Sequence, residues 1–201
     1  MTRILPGILA MAIIVVTSNI LVQFLFGNWL TWGAFTYPLA FLVTDVMNRV
    51  YGSALARRVV FFGFFVGVIC SLVASAFDAT TLRIATASGL AFLTAQLIDI
   101  SIFNRLRSGQ WWTAPAVSSV VGSTVDTALF FSLAFSQTFG FIDPSDDVSW
   151  AAETLPLLGL GPVAPLWVSL AVADWGVKMG LALVALVPFR LIVTRLSAPA
   201  T

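Results

Sequence analysis

This 201-residue chain contains no histidine, a single cysteine and few charged residues. Without histidine it can build neither an imidazole-dependent catalytic triad nor a histidine metal site. Cys70 cannot form a disulfide within the chain, and it lies in an apolar run where a thiol packs as a small hydrophobic group. Charged residues make up 9% of the chain, against roughly 25% in soluble domains, so a soluble globular fold is excluded.

The chain is strongly apolar, with 59% hydrophobic residues and a mean hydropathy of +1.00. About 20 apolar residues span the hydrocarbon core of a bilayer. Six segments approach or exceed that length and are predicted to be transmembrane helices, at about 4–26, 34–50, 59–77, 84–103, 115–138 and 166–190. The first is too long for the core of a signal peptide, so we expect it to be retained. The acidic segment 139–165 is predicted to be an outer loop.

The arginines are distributed unevenly between the two ends of these segments. If the helices alternate in direction, one side of the membrane receives Arg3, Arg49, Arg57, Arg58, Arg105, Arg107, Arg190 and Arg195. The other side receives Arg83 and the acidic loop. Because arginines near helix ends stay in the cytoplasm, both termini are predicted to be cytoplasmic. We therefore predict an all-α integral membrane protein of the bacterial inner membrane, with residues 1–201 forming one multi-pass bundle.

Four aspartates lie inside the predicted spans, at Asp45, Asp99, Asp126 and Asp174. A charged residue at the centre of a membrane helix costs about 2.5–3.5 kcal/mol on insertion scales. One such acid on each of four helices indicates a polar interior, and we expect the binding site to lie there.

The second predicted helix combines aromatic, acidic and amide side chains on one face. Asp45 and Asn48 are three residues apart, and Tyr37 and Phe41 precede the acid by two turns and one turn. We interpret this face as a ligand-binding wall. The alternative is an acid paired with Arg49 or with the two arginines of the next connection.

The fourth helix repeats the amide–acid spacing with Gln96 and Asp99. A role in substrate binding is one interpretation of this pair. An ion pair between Asp99 and Arg105, which lies further along the same helix, is the other.

The fifth helix places Ser119, Ser123 and Asp126 on one face. The serines are typical of close helix packing in membranes. Asp126 lies near the middle of its span, so it needs a buried partner, a bound ligand or a proton.

The sixth helix offers that partner. Asp174 and Lys178 are four residues apart, a spacing at which an acid and a base meet on a helix. The pair either neutralises itself or also reaches Asp126 across the helix interface. Trp175 is positioned either to stack on a ligand or to sit at the membrane interface.

The sequence lacks the motifs of the enzyme classes considered. The sequence has no glycine-rich phosphate loop, and each helix offers one acid where lipid-synthesising enzymes cluster several. We predict that the protein is not an enzyme and that it uses no cofactor or metal. The expected partners are a small molecule and the lipid bilayer, with no nucleic acid, and a homo-oligomer is compatible with this prediction.

Three segments resemble the YhhQ/VUT family of queuosine precursor transporters. The first contains Tyr37, Pro38, Thr44, Asp45, Asn48, Tyr51 and Gly52. The second contains Gln96, Asp99 and Phe103, and the third contains Ser119, Ser123, Asp126 and Thr127, with Lys178 following on the last helix.

This resemblance implies a six-helix fold similar to the substrate-binding subunits of energy-coupling-factor transporters. It also implies uptake of 7-cyano- or 7-aminomethyl-7-deazaguanine. The substrate contacts would then be Asp45, Asn48, Gln96, Asp99, Asp126, Lys178, Tyr37 and Phe41, supported by Ser119, Ser123, Asp174 and Trp175. Two alternatives are a vitamin-binding subunit that depends on a separate ATP-driven module, and a membrane enzyme that acts on lipid.

Overall fold

The computed structural model describes residues 4–197, and helices make up most of it. Seven α-helices follow in order: α1 (Leu5–Leu21), α2 (Gly33–Thr36), α3 (Leu39–Tyr51), α4 (Ser53–Ala76), α5 (Leu82–Leu106), α6 (Thr113–Phe135) and α7 (Leu166–Ser197). The predicted all-α class agrees with this arrangement. Arg3, one of the arginines in the predicted topology, lies outside the described residues.

Helices α4, α5, α6 and α7 are each long and apolar enough to cross a membrane, and α1 is a shorter apolar helix of 17 residues. Their outer faces carry exposed large hydrophobic side chains, including Phe65, Leu72, Leu183 and Val187. Soluble proteins rarely expose apolar surface on this scale. The apolar exterior and the buried polar residues are those of an integral membrane protein.

The second predicted span is divided in the structure. Pro38 has no backbone N–H to donate, and it separates the single turn of α2 from the 13 residues of α3. The two pieces are joined by short-range hydrogen bonds, from the Ala40 N–H to the Tyr37 carbonyl and from the Phe41 N–H to the Pro38 carbonyl, each 3.1 Å long. Tyr37 therefore lies just outside α3.

Helix α4 begins six residues earlier than the sequence predicted. Gly52 ends α3 with a φ of 87°, a conformation that glycine adopts without steric cost, and α4 starts at the next residue. The turn between these helices is therefore very tight.

Two apolar clusters hold the helices together. The larger lies among α1, α3, α4 and α5 and is centred on Met11, Met47, Val59, Val60 and Phe92. The smaller joins α3, α5, α6 and α7 through Val46, Phe103, Ala114 and Phe189. The polar residues of the site lie between helices that these clusters hold in place.

Close contact of α6 with α3 and α5 depends on Gly122. A Cβ at this position would lie 2.7 Å from Cε1 of Phe41 and 3.3 Å from Cβ of Asp99. Any larger residue would push these helices apart.

The predicted outer loop is more structured than a simple connection. It contains 3-10 turns at Gln137–Ile142, Ser149–Ala152 and Leu157–Gly159, and an antiparallel hairpin of β1 (Thr154–Pro156) and β2 (Val163–Pro165). A second, smaller strand pair joins Leu25–Phe26 to Leu30–Thr31. The loop is acidic, as expected, and the backbone N–H of Ser149 donates to Asp147 and lowers the pKa of that carboxyl.

Arg83 is 1% exposed, although its position predicts a loop residue. Its Nε donates to the Leu133 carbonyl at 2.8 Å and one Nη donates to the Ser136 carbonyl, so it binds the C-terminal end of α6. At the opposite end of α5, Arg49 donates to the Arg107 carbonyl at 2.7 Å, and Arg107 donates to the Arg49 carbonyl at 3.4 Å.

Candidate functional site

Asp45 lies where α3 meets α6. Its two carboxylate oxygens accept hydrogen bonds from the hydroxyls of Ser118, at 3.3 Å, and Ser119, at 3.1 Å. The side chain is 2% exposed. Arg49, the predicted alternative partner, is directed to the Arg107 carbonyl and the face of Phe103 instead.

The two predicted amides connect α3 to α5. Thr44 donates to Oε1 of Gln96 at 2.5 Å, and Nδ2 of Asn48 donates to the Ile100 carbonyl at 3.1 Å. Nε2 of Gln96 and Oδ1 of Asn48 are buried with no hydrogen-bond partner. Each amide is therefore anchored by one atom and leaves the other available.

Asp99 is completely buried, and neither of its carboxylate oxygens has a hydrogen-bond partner. It faces Gly122 on α6, one turn along from Ser118, whose hydroxyl bonds Asp45, and we call Asp45 and Asp99 the carboxyl pair. The predicted alternative, an ion pair with Arg105, is not formed within residues 4–197.

Lys178 joins α6 and α7. Its ammonium group lies 2.7 Å from Asp126, 2.5 Å from Asp174 and 3.0 Å from the hydroxyl of Thr127. Thr127 in turn donates to Asp174 at 2.9 Å. These four residues form the lysine cluster, in which all three N–H groups of the ammonium have acceptors. Both sequence interpretations therefore hold, because Lys178 binds its own helix and also bridges to Asp126.

The aromatic candidates separate in the structure. Phe41 is buried against Gly122 and faces the interior. Tyr37 stacks edge-to-face with Phe92, with 5.8 Å between ring centroids, so it belongs to the apolar cluster near α1 and α5. Trp175 is 41% exposed and donates to the Thr124 hydroxyl at 3.0 Å, so it lies on the outer surface of the bundle.

A cavity of about 10 Å³ lies between Asp45 of the carboxyl pair and Lys178 of the lysine cluster. Its lining includes Phe41, Asp45, Ser119, Ser123 and Lys178. This volume accommodates about one water molecule. The site is therefore closed in this conformation.

A larger cavity of about 330 Å³ lies between α1, α4 and α5. Tyr37 and Asn19 contribute to its lining, which carries hydroxyl groups but no charged side chain. It has the volume for a small ligand but lacks the carboxylates found in the smaller cavity.

Three residues that complete the site were absent from the predicted set: Thr44, Ser118 and Thr127. Thr44 and Asn48 are one turn apart, so spacing places the threonine on the same face as the amide. Ser118 and Thr127 are each adjacent in sequence to a predicted residue, and which neighbour faces inward depends on helix rotation.

The chemical capacities of the two centres differ. The carboxyl pair and the free amide atoms offer acceptors and one donor that the protein itself leaves unused. The lysine cluster uses its hydrogen-bonding groups internally. Within residues 4–197 no group of three or more acidic or cysteine side chains is placed to hold a metal ion.

Residues 31–193 match a family model described as putative vitamin uptake transporter. The chain is 38% identical to the queuosine precursor transporter of Escherichia coli strain K12 over 142 residues. The aligned region covers 61% of this chain and 64% of that protein. It is 39% identical over 137 residues to the probable queuosine precursor transporter of Haemophilus influenzae, covering 60% and 57% of the two chains. The chain thus spans less than two thirds of either relative.

A more distant relative is matched over more of its length. The probable queuosine precursor transporter of Bacillus subtilis is 28% identical over 185 residues, which cover 81% of this chain and 71% of that protein. No solved structure matches the chain.

Proposed function

Because this chain belongs to the putative vitamin uptake transporter family, we propose that it carries a queuosine precursor, a 7-deazaguanine base, across the inner membrane. The names of its relatives support this substrate class. The observation that carries the proposal is the buried carboxylate of Asp99, whose two oxygens lack hydrogen-bond donors.

The base fits this unpaired carboxylate chemically. A deazaguanine presents an N1–H and a 2-amino group side by side, and one carboxylate accepts both in a charge-assisted pair. The neighbouring carbonyl of the base requires a donor, which Nε2 of Gln96 would supply. Oδ1 of Asn48 would accept a further N–H, and the ring of Phe41 would cover one face of the bicycle.

Recognition requires the bundle to open. The cavity beside Asp45 holds about one water molecule, whereas a bicyclic base is many times larger. Helix α7 closes this cavity through Lys178 and Phe189, while Asp45 and Phe41 face it from α3. We therefore propose that α7 separates from α3 when the base enters, and that the closed conformation lies between the outward-open and inward-open states.

The proposed topology has six crossings with both termini in the cytoplasm. At about 1.5 Å per residue, helix α1 is roughly 26 Å long, and the stretch 33–51 that contains α2 and α3 is roughly 28 Å long. Both lengths are close to the thickness of the hydrocarbon core. In this topology every described arginine except Arg83 lies on the cytoplasmic side. Arg83 fits the opposite side because carbonyl oxygens of α6 satisfy its guanidinium.

The test is uptake of a radiolabelled 7-deazaguanine by cells that lack their own transporter. We expect this chain to restore uptake, and we expect Asp99→Asn to abolish it because an amide cannot accept both donors of the base. Ser71→Ala, in the larger cavity, is the matched control and should transport normally. Undiminished uptake by Asp99→Asn would rule out the proposed site.

Reconstitution separates this proposal from dependence on an ATP-driven module. The purified chain alone in lipid vesicles should equilibrate the labelled base without ATP. If uptake appears only after ATPase subunits are added, the chain acts as a binding subunit instead.

A further inference from the structure

The carboxyl pair has no cationic partner among residues 4–197. Asp45 receives two serine hydroxyls, whereas both oxygens of the buried Asp99 lack partners. These unpartnered oxygens, fully buried beside a second carboxyl group, indicate that the pair binds something besides the protein's own side chains.

Two cations on the neighbouring parts of α3 and α7 form their contacts elsewhere. On α3, Arg49 donates to the Arg107 carbonyl and lies over the ring of Phe103, 5.3 Å from its centroid. On α7, Lys178 lines the same cavity as Asp45 but uses its three N–H groups within the lysine cluster. Neither cation neutralises the carboxyl pair.

The other helices add no positive charge. The titratable residue that α6 contributes to the interior is Asp126, which is bound to Lys178. Helices α1 and α2 contain no acidic or basic residue, and the buried face of α4 consists of Ala56, Val59, Val60 and Gly63. On α5 the buried acidic or basic residues are Asp99 itself and the distant Arg83.

Two carboxyl groups that share a buried site do not both ionise. We propose that the carboxyl pair holds one proton, and that this proton passes from Asp99 to Asp45 when the base binds. The ligand-bound half of this proposal rests on the proposed function, whereas the proton in the empty site does not.

Hydrogen bonding sets the direction of the transfer. In the empty site the charge is more stable on Asp45, because Ser118 and Ser119 donate to it, so Asp99 holds the proton. When a base donates its N1–H and amino group to Asp99, the anion becomes more stable there. The proton then moves to Asp45, whose O–H donates back to Asp99. No proton is gained or lost, and no bond in the base changes.

Binding therefore requires one carboxylate and one carboxylic acid together. In acid, both groups are protonated and Asp99 cannot accept the base. In alkali, both are ionised and repel each other. The affinity for the base should pass through a maximum between these limits.

The first test needs no ligand. Infrared spectroscopy of the purified full chain at neutral pH should show the carbonyl band of a protonated carboxyl group. Asp99→Asn should remove this band, because Asp45 then ionises with its two serine donors, and Asp147→Asn on the outer loop should keep it. Absence of the band from the wild type, or its persistence in Asp99→Asn, would overturn the proposal.

The second test measures the affinity of the wild type and of Asp45→Asn for 7-cyano-7-deazaguanine across pH. We choose this probe because its cyano group does not titrate. On the alkaline side the wild type should lose about tenfold in affinity per pH unit, as expected for one required proton. The affinity of Asp45→Asn, expressed relative to its own maximum, should not decrease on the alkaline side.

Two results of the second test would contradict the proposal. One is an alkaline fall that persists in Asp45→Asn, and the other is an affinity that follows sodium concentration at constant pH. If neither protein binds the base at any pH, the proposed function fails, and the infrared band alone then decides whether the pair holds a proton.

Discussion

The carboxyl pair and the lysine cluster each place two aspartates inside the same helix bundle, but their surroundings differ. In the lysine cluster, Lys178 and Thr127 provide donors to both acids. In the carboxyl pair, Asp45 is partly satisfied and Asp99 receives no donor. Asp45, Asp99 and Asp126 are buried and the Asp174 side chain is 14% exposed, so burial does not separate the two centres as clearly as the number of polar atoms without a hydrogen-bond partner does.

The two centres also differ in the free energy that their unpaired polar groups cost. Leaving a buried polar group without a partner costs roughly 1–3 kcal/mol, and more for a charged group. The lysine cluster avoids this cost by joining α6 to α7. The carboxyl pair retains it, which indicates that stability of the closed state is not what Asp99 provides.

The largest effect is expected from Lys178→Met, which removes the cation of the lysine cluster. The buried Asp126 and the partly buried Asp174 would both lose their positive charge, and loss of one partner of a buried ion pair costs about 3–5 kcal/mol. The free energy of unfolding in detergent should fall by this amount. Adding Asp126→Asn and Asp174→Asn to the same chain should recover part of the loss, and a triple variant no more stable than Lys178→Met would contradict the electrostatic explanation.

The same chemical change should have different consequences in the two centres. Asp126→Asn breaks the 2.7 Å ion pair with Lys178 and should lower the free energy of unfolding by several kcal/mol, about the cost of breaking a buried pair. Asp99→Asn exchanges one unpaired buried polar group for another and should leave the free energy of unfolding about unchanged. Thermal unfolding of the two variants side by side is the measurement. Equal destabilisation would remove the distinction between the centres.

A smaller loss is expected from Thr127→Val, which keeps the side-chain shape and removes the hydroxyl. Lys178 then loses an acceptor and Asp174 loses a donor, and hydrogen bonds to charged groups contribute about 1.5–3 kcal/mol. Chemical denaturation of the variant measures the loss, and Thr194→Val, whose exposed hydroxyl bonds the Arg190 carbonyl of its own helix, is the matched control. A neutral Thr127→Val would show that the lysine cluster is satisfied without this hydroxyl.

The smallest effect concerns the packing between the centres. Gly122→Ala places a Cβ against Phe41 and Asp99, and overpacking of this kind costs roughly 1–3 kcal/mol. Gly180→Ala on α7 meets no atom within 4 Å and should be neutral or slightly stabilising. Melting temperatures of the two alanine variants test the comparison, and identical values would mean that α6 shifts without cost.

The sequence identified the acidic and basic residues of both centres better than it identified the side chains that hydrogen-bond to them. Acid–lysine spacing on one helix and an unpaired acid on its neighbour made a bridge from Lys178 to Asp126 one of two interpretations, and the structure contains that bridge. The choice between Ser118 and Ser119 was not predictable, since the rotation of α6 depends on its contacts at Gly122. Both serines in fact bind Asp45.

The break in the second predicted helix and the structure of the outer loop were also not predictable from the sequence. Regular spacing placed Tyr37 above Asp45, but the lack of an N–H at Pro38 ends that helix and lets Tyr37 pack on Phe92. The hairpin of the outer loop depends on pairing between Thr154–Pro156 and Val163–Pro165, and alternation over three residues is too short to predict a strand. Local periodicity therefore predicts helices well and the joints between them poorly.

Arg83 has a consequence for how the protein is made. Its guanidinium obtains acceptors from Leu133 and Ser136, which the ribosome adds about 50 residues after Arg83 itself. Until those residues have folded, α5 carries an unsatisfied cation at its beginning. We therefore expect α5 to become fully stable only once α6 has been made, so that the two helices are stabilised together as a hairpin.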